Sequence, residues 1–443
     1  MRRNLAALLG FAALALVGCG GSGEHAIRIG VLADCTGGLG AFNELELASA
    51  ELPLVERGAR LTGSTPHDGV SHAKVGGRRV DIVTGCAEST TYEVLIAEAR
   101  RLVERERVDV LIGPPLESDG LVLREIARRS PNVTFVLTLS RAQETTLRHP
   151  APNVFRFQPD GAQQTAGLGS YAYHQLGWRS AAVVGDDFAT SWARAAGFIA
   201  EFCALGGRIA TRIFPPVGAP AAALVENIPQ AVDGVALVPS NAFIDWSGFV
   251  RAYARRRPNV ARHLVLGPEM LILPDHRARL ARLTKGGIAA GSERYDARNR
   301  TWLRLRREFG RHFPGLLPVR SVPAEYPLVL AYRNASEAIV EALGHVDGDL
   351  SGDQRRFRAA LGQLHLETPT GVIRLDANRQ AVAPAYLTRL EVDGKGKPAL
   401  RTLRVVPDVE QTFNGYFTRS TPPPSTKAPA CRRARPPRWA AGR

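Results

Sequence analysis

The stretch that decides the predicted fold is Val108-Asp109-Val110-Leu111-Ile112, which ends in Gly113-Pro114-Pro115. Its apolar run is short and rich in β-branched residues, and the glycine and prolines end it, a pattern typical of a buried strand. Residues 92–103 before it carry apolar side chains at helical spacing, and residues 118–129 after it form a second predicted helix. A buried strand between two such helices indicates a parallel sheet that is covered by helices on both faces.

The same order of strand, loop and helix recurs along most of the chain. The other predicted strands are residues 27–32, 79–84, 133–137, 181–184, 209–214, 234–238, 264–266 and 287–290. The other predicted helices are residues 44–60, 163–176, 191–205, 221–228, 243–256, 274–283, 297–313, 324–344 and 353–364. The end of the chain changes character, because residues 371–375, 385–392 and 401–405 are predicted strands joined by turns. The chain is therefore predicted to be an α/β protein with two doubly wound parallel-sheet lobes.

The composition is that of a globular protein with a basic excess. The 443 residues are 45% hydrophobic, which excludes wholesale disorder and suffices for two cores. The net charge is +15, but the tail after Phe417 holds Arg419, Lys427 and five further arginines with no acidic residue. We expect residues 417–443, which are also rich in proline, to be a disordered basic tail. Because so much of the excess lies there, we expect no nucleic-acid partner.

The N-terminus has the order of a secretory signal. Arg2 and Arg3 precede an apolar run that is too short to span a membrane and that ends in Gly18-Cys19. A cysteine directly after a small residue resembles the lipobox of bacterial lipoproteins. The resemblance implies that residues 1–18 are a signal peptide, that Cys19 is lipid-modified, and that residues 19–25 tether the protein to a membrane outside the cytoplasm.

The other four cysteines divide into a predicted pair and two unpaired positions. Cys35 and Cys86 each follow a predicted strand, at the same end of what should be neighbouring strands. In an oxidising compartment this placement predicts a disulfide, although two free thiols remain the alternative. Cys203 lies in a predicted helix and is interpreted as a small buried apolar residue, whereas Cys431 in the tail has no assignment.

Ligands of doubly wound sheets bind at the carboxyl ends of the strands, so the loops that leave those ends are the candidate site. These loops are Asp34-Cys35-Thr36-Gly37-Gly38, Gly113-Pro114-Pro115-Leu116-Glu117-Ser118, Thr138-Leu139-Ser140-Arg141, Gly185-Asp186-Asp187-Phe188, Pro239-Ser240-Asn241 and Gly267-Pro268-Glu269. Together with Arg294-Tyr295-Asp296 and the segment from Thr370 to Asp376, in this order, they resemble the type I periplasmic binding proteins, specifically the leucine/isoleucine/valine-binding group. The resemblance covers roughly residues 27–393.

The resemblance implies two lobes that exchange chain segments. Lobe 1 is expected to comprise residues 27–156 plus 297–364, and lobe 2 residues 158–295 plus 367–405. Three crossings near Phe157, Asp296 and Leu366 would form the hinge.

The resemblance also implies roles for residues on the side of lobe 1. Ser118 matches a serine at a helix N-terminus that suits a carboxylate, although a plain helix N-cap is the alternative. Ser140 and Arg141 match the next ligand loop. Arg141 departs from the small residue expected there and could clamp an acidic group, unless it is a solvated surface arginine.

On the side of lobe 2, Phe188 falls where the family has a tyrosine packing over the ligand, with a core aromatic as the alternative. Glu269 matches the acidic residue that pairs with the ligand amine, with a solvated loop glutamate as the alternative. Asn241 and Tyr295 are further wall positions.

The sequence lacks the motifs that are typical of several function classes. Gly38-Leu39-Gly40 is followed by Asn43 where a third glycine would complete a dinucleotide fingerprint, and the sequence has no Walker loop, H-E-x-x-H or G-x-S-x-G motif. His67 and His72 lie in a turn-rich loop and are interpreted as surface residues. We therefore expect neither an enzyme nor a metal or other cofactor.

The sequence thus predicts a lipid-anchored solute-binding receptor that closes on a small ligand and delivers it to the permease subunits of an ABC importer. The resemblance favours an amino acid of the branched-chain type or a related carboxylate or amide as the ligand, and we expect a monomer. The alternatives are a ligand sensor on the same fold that signals to a membrane partner, an extracellular enzyme, and a polymer-binding surface protein that acts through its basic tail.

Overall fold

The structure is a computed structural model that describes residues 25–88, 92–114, 119–240, 245–295, 299–317 and 326–441. The signal peptide, Cys19, Ser118, Asn241 and Asp296, all singled out above, lie outside these residues. Among the described residues, no helix has both the length and the apolar character to cross a membrane.

The strands and helices alternate as the sequence predicted. The strands are β1 (Ile27–Thr36), β2 (Arg60–Leu61), β3 (Val70–Ser71), β4 (Lys74–Val75), β5 (Arg78–Glu88), β6 (Val110–Gly113), β7 (Thr134–Leu137), β8 (Val154–Arg156), β9 (Ser180–Val184), β10 (Arg208–Ile213), β11 (Gly234–Leu237), β12 (Leu264–Leu266), β13 (Ile288–Gly291), β14 (Leu366–Thr368), β15 (Gly371–Leu375), β16 (Ala381–Val392) and β17 (Pro398–Val409). The α-helices are α1 (Asn43–Val55), α2 (Tyr92–Arg100), α3 (Gly120–Arg129), α4 (Glu144–Leu147), α5 (Gly161–Gln164), α6 (Leu168–His174), α7 (Ala189–Ala204), α8 (Ser247–Arg256), α9 (Pro274–Thr284), α10 (Arg300–His312), α11 (Tyr326–His345) and α12 (Arg355–Gln363).

Lobe 1 is built on a sheet of order β4-β5-β1-β6-β7-β8, which is parallel except for the β4–β5 pair. One face packs under α1 and α11, with Val31 and Ile112 in the same core as Ala338 and Ile339. The other face packs under α2 and α3. All four residues of β6 are buried because both faces of the sheet are covered, which explains its unbroken apolar sequence.

Lobe 2 is built on the first six strands of a sheet of order β10-β9-β11-β12-β13-β16-β15-β14, with β17 paired to β16, and the last two strands, β15 and β14, extend this sheet into lobe 1. The strands from β10 to β13 are parallel, whereas β16 runs antiparallel to both β13 and β17. The predicted turn at Asp393-Gly394 joins β16 and β17, with the Asp393 amide donating to the Lys397 carbonyl over 2.8 Å. The prediction of two α/β lobes is confirmed, and the sheets are mixed rather than purely parallel.

The helix predicted over residues 163–176 is divided into α5 and α6. Gly167 separates them with a φ of 87°, and a Cβ there would lie 2.7 Å from Val406 Cγ2 of the neighbouring strand. The Gly167 amide donates to the buried Glu201 carboxylate over 2.6 Å. The close approach of β17 therefore breaks a helix whose apolar spacing looked continuous.

The third crossing between the lobes differs from the expected position near Leu366. Leu366 and Ile373, in β14 and β15, are buried in the core of lobe 1 beside Ile29. Gln380 then bridges to Arg156 at the end of β8, and the chain reaches lobe 2 within β16. The short β14–β15 hairpin belongs to lobe 1 because its apolar residues alternate toward that core.

The tail after Phe417 is packed, so the prediction of disorder is wrong. Phe417 and Ala440 are buried, and Trp439 is 8% exposed. These side chains form a separate apolar cluster with α5 and α7, and Cys431 forms a disulfide with Cys203. The prediction of disorder followed from the proline-rich composition. The three buried apolar residues and the disulfide follow no periodic pattern, so they could not be recognised from the sequence.

Both disulfides join elements that are distant in sequence. Cys35 pairs with Cys86, with Cα atoms 5.2 Å apart, because β1 and β5 are parallel neighbours and Cys35 lies at a bulge of β1, two residues beyond Ala33, the strand partner of Cys86. This pair was predicted from the strand ends. The Cys203–Cys431 pair was not predicted, and Cys203 is thus more than a buried apolar residue.

Close packing inside lobe 2 gives a test of the fold with a matched control. The Gly234 backbone in β11 lies against the buried Trp178 ring, where a Cβ would be 2.0 Å from Trp178 Cζ2. We expect Gly234→Ala to lower the free energy of unfolding by about 2 kcal/mol, because the ring is also held by its Nε1 bond to the Arg262 carbonyl. Urea unfolding followed by circular dichroism measures this.

The control is Gly248→Ala in α8, where the nearest atom to an added Cβ is Ala222 Cβ at 3.9 Å. That change is expected to be neutral or to stabilise by up to about 1 kcal/mol. Equal destabilisation by both substitutions would contradict this account of the packing.

Candidate ligand-binding site

The carboxyl ends of the parallel strands in each lobe carry the loops that the sequence singled out. In lobe 1 these ends belong to β1, β5, β6 and β7, and in lobe 2 to β9, β11, β12 and β13. Parallel strands end on one edge of their sheet, so each lobe presents one wall of polar loops.

The wall of lobe 1 contains buried acidic groups beside the end of β1. The Asp34 amide donates to Glu46 Oε2 over 2.8 Å, and Asn43 Nδ2 donates to the Asp34 carbonyl over 2.7 Å. Burial, and next the charge of Asp34, raise the pKa of Glu46 well above its usual value. Burial beside a second carboxylate therefore favours the neutral form of Glu46, which can act as a hydrogen-bond donor.

Ser140 and Arg141, predicted to hold the ligand from the β7 loop, are both buried. A Cβ at Gly120 would lie 1.9 Å from Ser140 Oγ, so this hydroxyl packs against the first residue of α3. Arg141 NH1 donates to the Pro159 carbonyl over 2.9 Å. Arg141 is therefore not the solvated surface arginine of the alternative, because it joins the β7 loop to the start of lobe 2.

A network of buried side chains occupies the hinge between the lobes. Arg156 is fully buried and donates to Gln380 Oε1 over 2.5 Å, to the Ala142 carbonyl over 2.8 Å and to Thr146 Oγ1 over 2.9 Å. The Asp160 carboxylate lies 4.0 Å from the same guanidinium. Burial lowers the pKa of Arg156 to about 10, so the guanidinium remains charged at pH 7.

The wall of lobe 2 is centred on an ion pair that the sequence did not predict. Arg194, fully buried on α7, donates through NH2 to Glu269 Oε1. Its NH1 also donates to the Pro239 carbonyl over 2.8 Å, and its Nε to Gln164 Oε1 over 3.1 Å. The available sequence signal was the arginine between Ala193 and Ala195, in a helix that is mostly apolar.

This ion pair changes the interpretation of Glu269. The carboxylate is 5% exposed and lies on the turn after β12, as predicted, but its negative charge is compensated by Arg194. A ligand ammonium would have to share the carboxylate with a guanidinium. The role of Glu269 as the amine partner remains a prediction.

A second carboxylate, Glu293, lies beside the same turn and was missed in the sequence. It is 4% exposed and accepts a hydrogen bond from Ser292 Oγ over 2.8 Å. A Cβ at Gly291 would lie 3.6 Å from both Glu293 Oε2 and Pro268 Cβ. Because Gln164 Nε2 donates to Ser292 Oγ over 3.3 Å, Glu293 is connected to Arg194 through two side chains.

Aromatic rings surround this part of the wall. The rings of Tyr295 and Tyr326 are 6.0 Å apart in an edge-on arrangement, and the Trp302 ring is 4.1 Å from Tyr326. Burial, and next the charge of Glu293, raise the pKa of both tyrosines well above its usual value, so both hydroxyls are neutral donors. Within the described part of the chain, neither hydroxyl has a hydrogen-bond partner.

Phe188 is the most exposed of the predicted wall residues that the structure describes. Its side chain is at the end of the β9 loop, 36% exposed, in the extended residue that precedes α7. Asp186, two residues earlier, accepts from the Ser240 amide over 2.7 Å and so ties this loop to the end of β11. The aromatic ring therefore projects from a rigid edge, as a wall residue would, and it is not in the core.

The two α/β lobes, each with polar loops at the carboxyl ends of its parallel strands, are those of a two-lobed solute-binding protein. The family model described as periplasmic binding protein matches residues 26–397, and the chain belongs to this family. The family consists of non-enzymatic solute-binding proteins of ABC transporters that work outside the cytoplasm. Curated protein sequences give no match to the chain.

Solved structures support the same fold. An ABC transporter substrate-binding protein from Sphaerobacter thermophilus is 24% identical, with a TM-score of 0.72, over 87% of this chain and 99% of that chain. A solute-binding protein from R. palustris, solved with benzoate, is 20% identical, with a TM-score of 0.63, over 87% and 98%. A leucine-binding protein from Thermotoga maritima is 17% identical, with a TM-score of 0.63, over 86% and 99%.

The Arg194–Glu269 pair can be tested by a double-mutant cycle. Arg194→Met removes the guanidinium that lies against the buried Glu269 carboxylate, and we expect it to lower the free energy of unfolding by about 3–5 kcal/mol. The double variant Arg194→Met, Glu269→Gln should recover at least about 1 kcal/mol of that loss, since no charge is then stranded. Urea denaturation of the parent protein, Arg194→Met, Glu269→Gln and the double variant gives the coupling energy between the two side chains. Additive effects of the two single substitutions would contradict the ion pair.

Proposed function

We propose that this substrate-binding protein closes its two lobes around an amino acid of the branched-chain type, or a related carboxylate or amide. The observation that carries the proposal is Glu293, a buried carboxylate beside the Arg194–Glu269 pair. A carboxylate that is not neutralised by an arginine in direct contact suits a ligand ammonium. Glu269, at the neighbouring turn, would share the same ammonium.

The rest of an amino acid has complementary groups on both walls. The N-terminus of α3, preceded by the predicted Ser118, suits the α-carboxylate. Phe188, which is 36% exposed, offers apolar surface to an aliphatic side chain. Because these groups belong to different lobes, a ligand that contacts all of them favours the closed arrangement over the open one.

An aromatic carboxylate is the second candidate. The rings of Tyr295, Tyr326 and Trp302 form an aromatic cluster near Glu293, in which Tyr295 and Tyr326 meet edge to face and Trp302 is tilted against Tyr326, and such clusters accept further aromatic rings. Solved relatives of the same fold were crystallised with benzoate and with 4-hydroxybenzoate. An aromatic acid has no ammonium, so it would not use Glu293 as its partner.

A titration with both ligand classes separates these candidates. We expect isothermal titration to give binding of L-leucine, L-isoleucine or L-valine, and Glu293→Gln to weaken it by more than about tenfold, since the ammonium loses its charged acceptor. The control is Glu104→Gln, an exposed glutamate of lobe 1, which should leave the affinity unchanged. Benzoate binding that Glu293→Gln does not weaken would support the aromatic candidate, and no binding of either class at millimolar concentration would remove both.

We also propose that the mature protein is a monomer anchored to the membrane through Cys19. The proposal rests on the signal-like N-terminus that ends at this cysteine. We expect Cys19→Ser to move the protein from the membrane fraction to the soluble fraction while the ligand affinity stays the same. Fractionation of cells followed by immunoblotting measures this, and a variant that stays in the membrane fraction would contradict a lipid anchor at this position.

A further inference from the structure

The chain continues beyond the family match, which ends at residue 397, and its last part contacts both lobes. We name residues 410–441 the C-terminal strap. We propose that the strap is a tether across the hinge that limits how far the two lobes can move apart, and that it thereby sets the affinity of the receptor. The inference rests on the proposed function in one respect, because it assumes that the lobes open and close around a ligand.

The strap begins inside the hinge network. Gln411 is fully buried, and its Nε2 donates to Asp160 Oδ2 over 2.8 Å and to Thr146 Oγ1 over 2.9 Å. Thr146 also accepts from Arg156, and Asp160 lies beside that arginine. Since Thr146 belongs to lobe 1 and Asp160 begins lobe 2, one side chain of the strap is bonded on both sides of a crossing.

The middle of the strap is held by lobe 1. Arg148, in the loop after α4, donates through Nε to the Thr421 carbonyl over 2.6 Å and through NH2 to the Pro422 carbonyl over 3.2 Å. Arg419 of the strap donates to Asn378 Oδ1 over 3.1 Å, in the turn between β15 and β16. Two charged side chains, one from each partner, therefore fix this part of the strap to lobe 1.

The end of the strap is held by lobe 2, partly by a covalent bond. Cys431 is joined to Cys203 of α7, with Cα atoms 5.3 Å apart, and Arg212 of β10 donates to the Pro429 carbonyl. Trp439 Nε1 donates to Glu201 Oε1 over 2.6 Å. The Trp439 ring packs edge-on against Phe413, 5.4 Å away, in the apolar cluster of the strap and α7.

The segment between the two attachments is short and rich in proline. Nine peptide units separate Pro422 from Cys431, which limits their distance to about 30 Å even when fully extended. The segment contains Pro422-Pro423-Pro424 and Pro429, and proline-rich chains act as semi-rigid spacers that resist stretching and compression. Moving α4 and α7 farther apart than this segment can span therefore breaks the Arg148 contacts or displaces the part of the strap that the disulfide holds.

The strap does not lie flat along one lobe. It covers one side of a groove of about 1450 Å³, which is lined by Arg374 and Asp376 before the third crossing and by His174 and Arg404 of lobe 2. The strap itself contributes Glu410, Asn414 and Trp439 to the lining. A groove with walls from both sides of the hinge changes shape when the lobes rotate, so the strap spans the part of the molecule that moves.

The test measures the separation of the lobes in the ligand-free, full-length chain by single-molecule energy transfer. Dyes are attached to azide-bearing residues placed at the exposed positions Arg129 in lobe 1 and Arg282 in lobe 2, so no cysteine is labelled. We expect Cys431→Ser and Arg148→Met each to raise the population with low transfer efficiency about threefold or more, because each releases one attachment. The two changes together should have little more effect than either alone, because they act through one tether.

The control is Arg358→Met, which removes an arginine that donates to Thr134 Oγ1 and to the Pro131 carbonyl within lobe 1 and does not reach the strap. It should leave the distribution unchanged. If circular dichroism shows that Cys431→Ser does not fold, the result for Arg148→Met alone tests the proposed tether, since this variant leaves the disulfide intact. The proposed tether would be overturned if the folded strap variants showed unchanged distributions of transfer efficiency, or if the control changed as much as they do.

Titration of the same labelled proteins with L-leucine and with benzoate separates the tether from the proposed function. A shift of the lobe distribution in the ligand-free variants, without any response to either probe, would support the tether and contradict the ligand assignment. When a probe binds, we expect its Kd to change at least about threefold in Cys431→Ser, because the population of the binding-competent arrangement changes. An unchanged Kd despite a shifted distribution would overturn the link between tether and affinity.

Discussion

The arrangement of the two lobes depends on a buried polar network at the hinge. Arg156 brings a full charge into the interior, and it is tolerated there because Gln380, Thr146, the Ala142 carbonyl and Asp160 surround it. These partners come from segments on both sides of the lobe boundary, so the network has all its partners only when the segments meet. Displacing any one of them would leave a buried donor or acceptor unpaired, which fixes the path of the chain between the lobes.

The same physical rule shapes the wall of lobe 2. Arg194 is buried on α7 and compensates Glu269, while Gln164 and Ser292 extend the hydrogen bonds to Glu293. The wall therefore combines a neutralised pair with a further carboxylate, held by side chains that are themselves fixed. An amino acid and an aromatic acid would use different groups of this wall, since an ammonium needs a charged acceptor and a ring needs an apolar face. This difference is enough for the site to discriminate between the two ligand classes.

The strands and helices could be predicted because the periodicity of apolar residues is a local property of the sequence. The buried runs that became β6, β9 and β12 were predicted within one or two residues of their ends, and the prediction that β1 and β5 are neighbours placed Cys35 near Cys86. The predictions were wrong where segments that are distant in the sequence pack against each other. Gly167 breaks a helix because β17 passes close to it, the β14–β15 hairpin joins the core of lobe 1, and the tail folds onto α7.

The sequence by itself determined the alternation of strands and helices, the two lobes, and the strand-end loops that hold Phe188, Glu269 and Tyr295, because each follows from local spacing and from the geometry of parallel sheets. Only the tertiary structure decided that Arg194 compensates Glu269, that Glu293 lies at the same turn, and that Cys203 pairs with Cys431. Charge compensation and disulfide pairing join residues that are far apart in the chain, so the path of the backbone through space selects the partners.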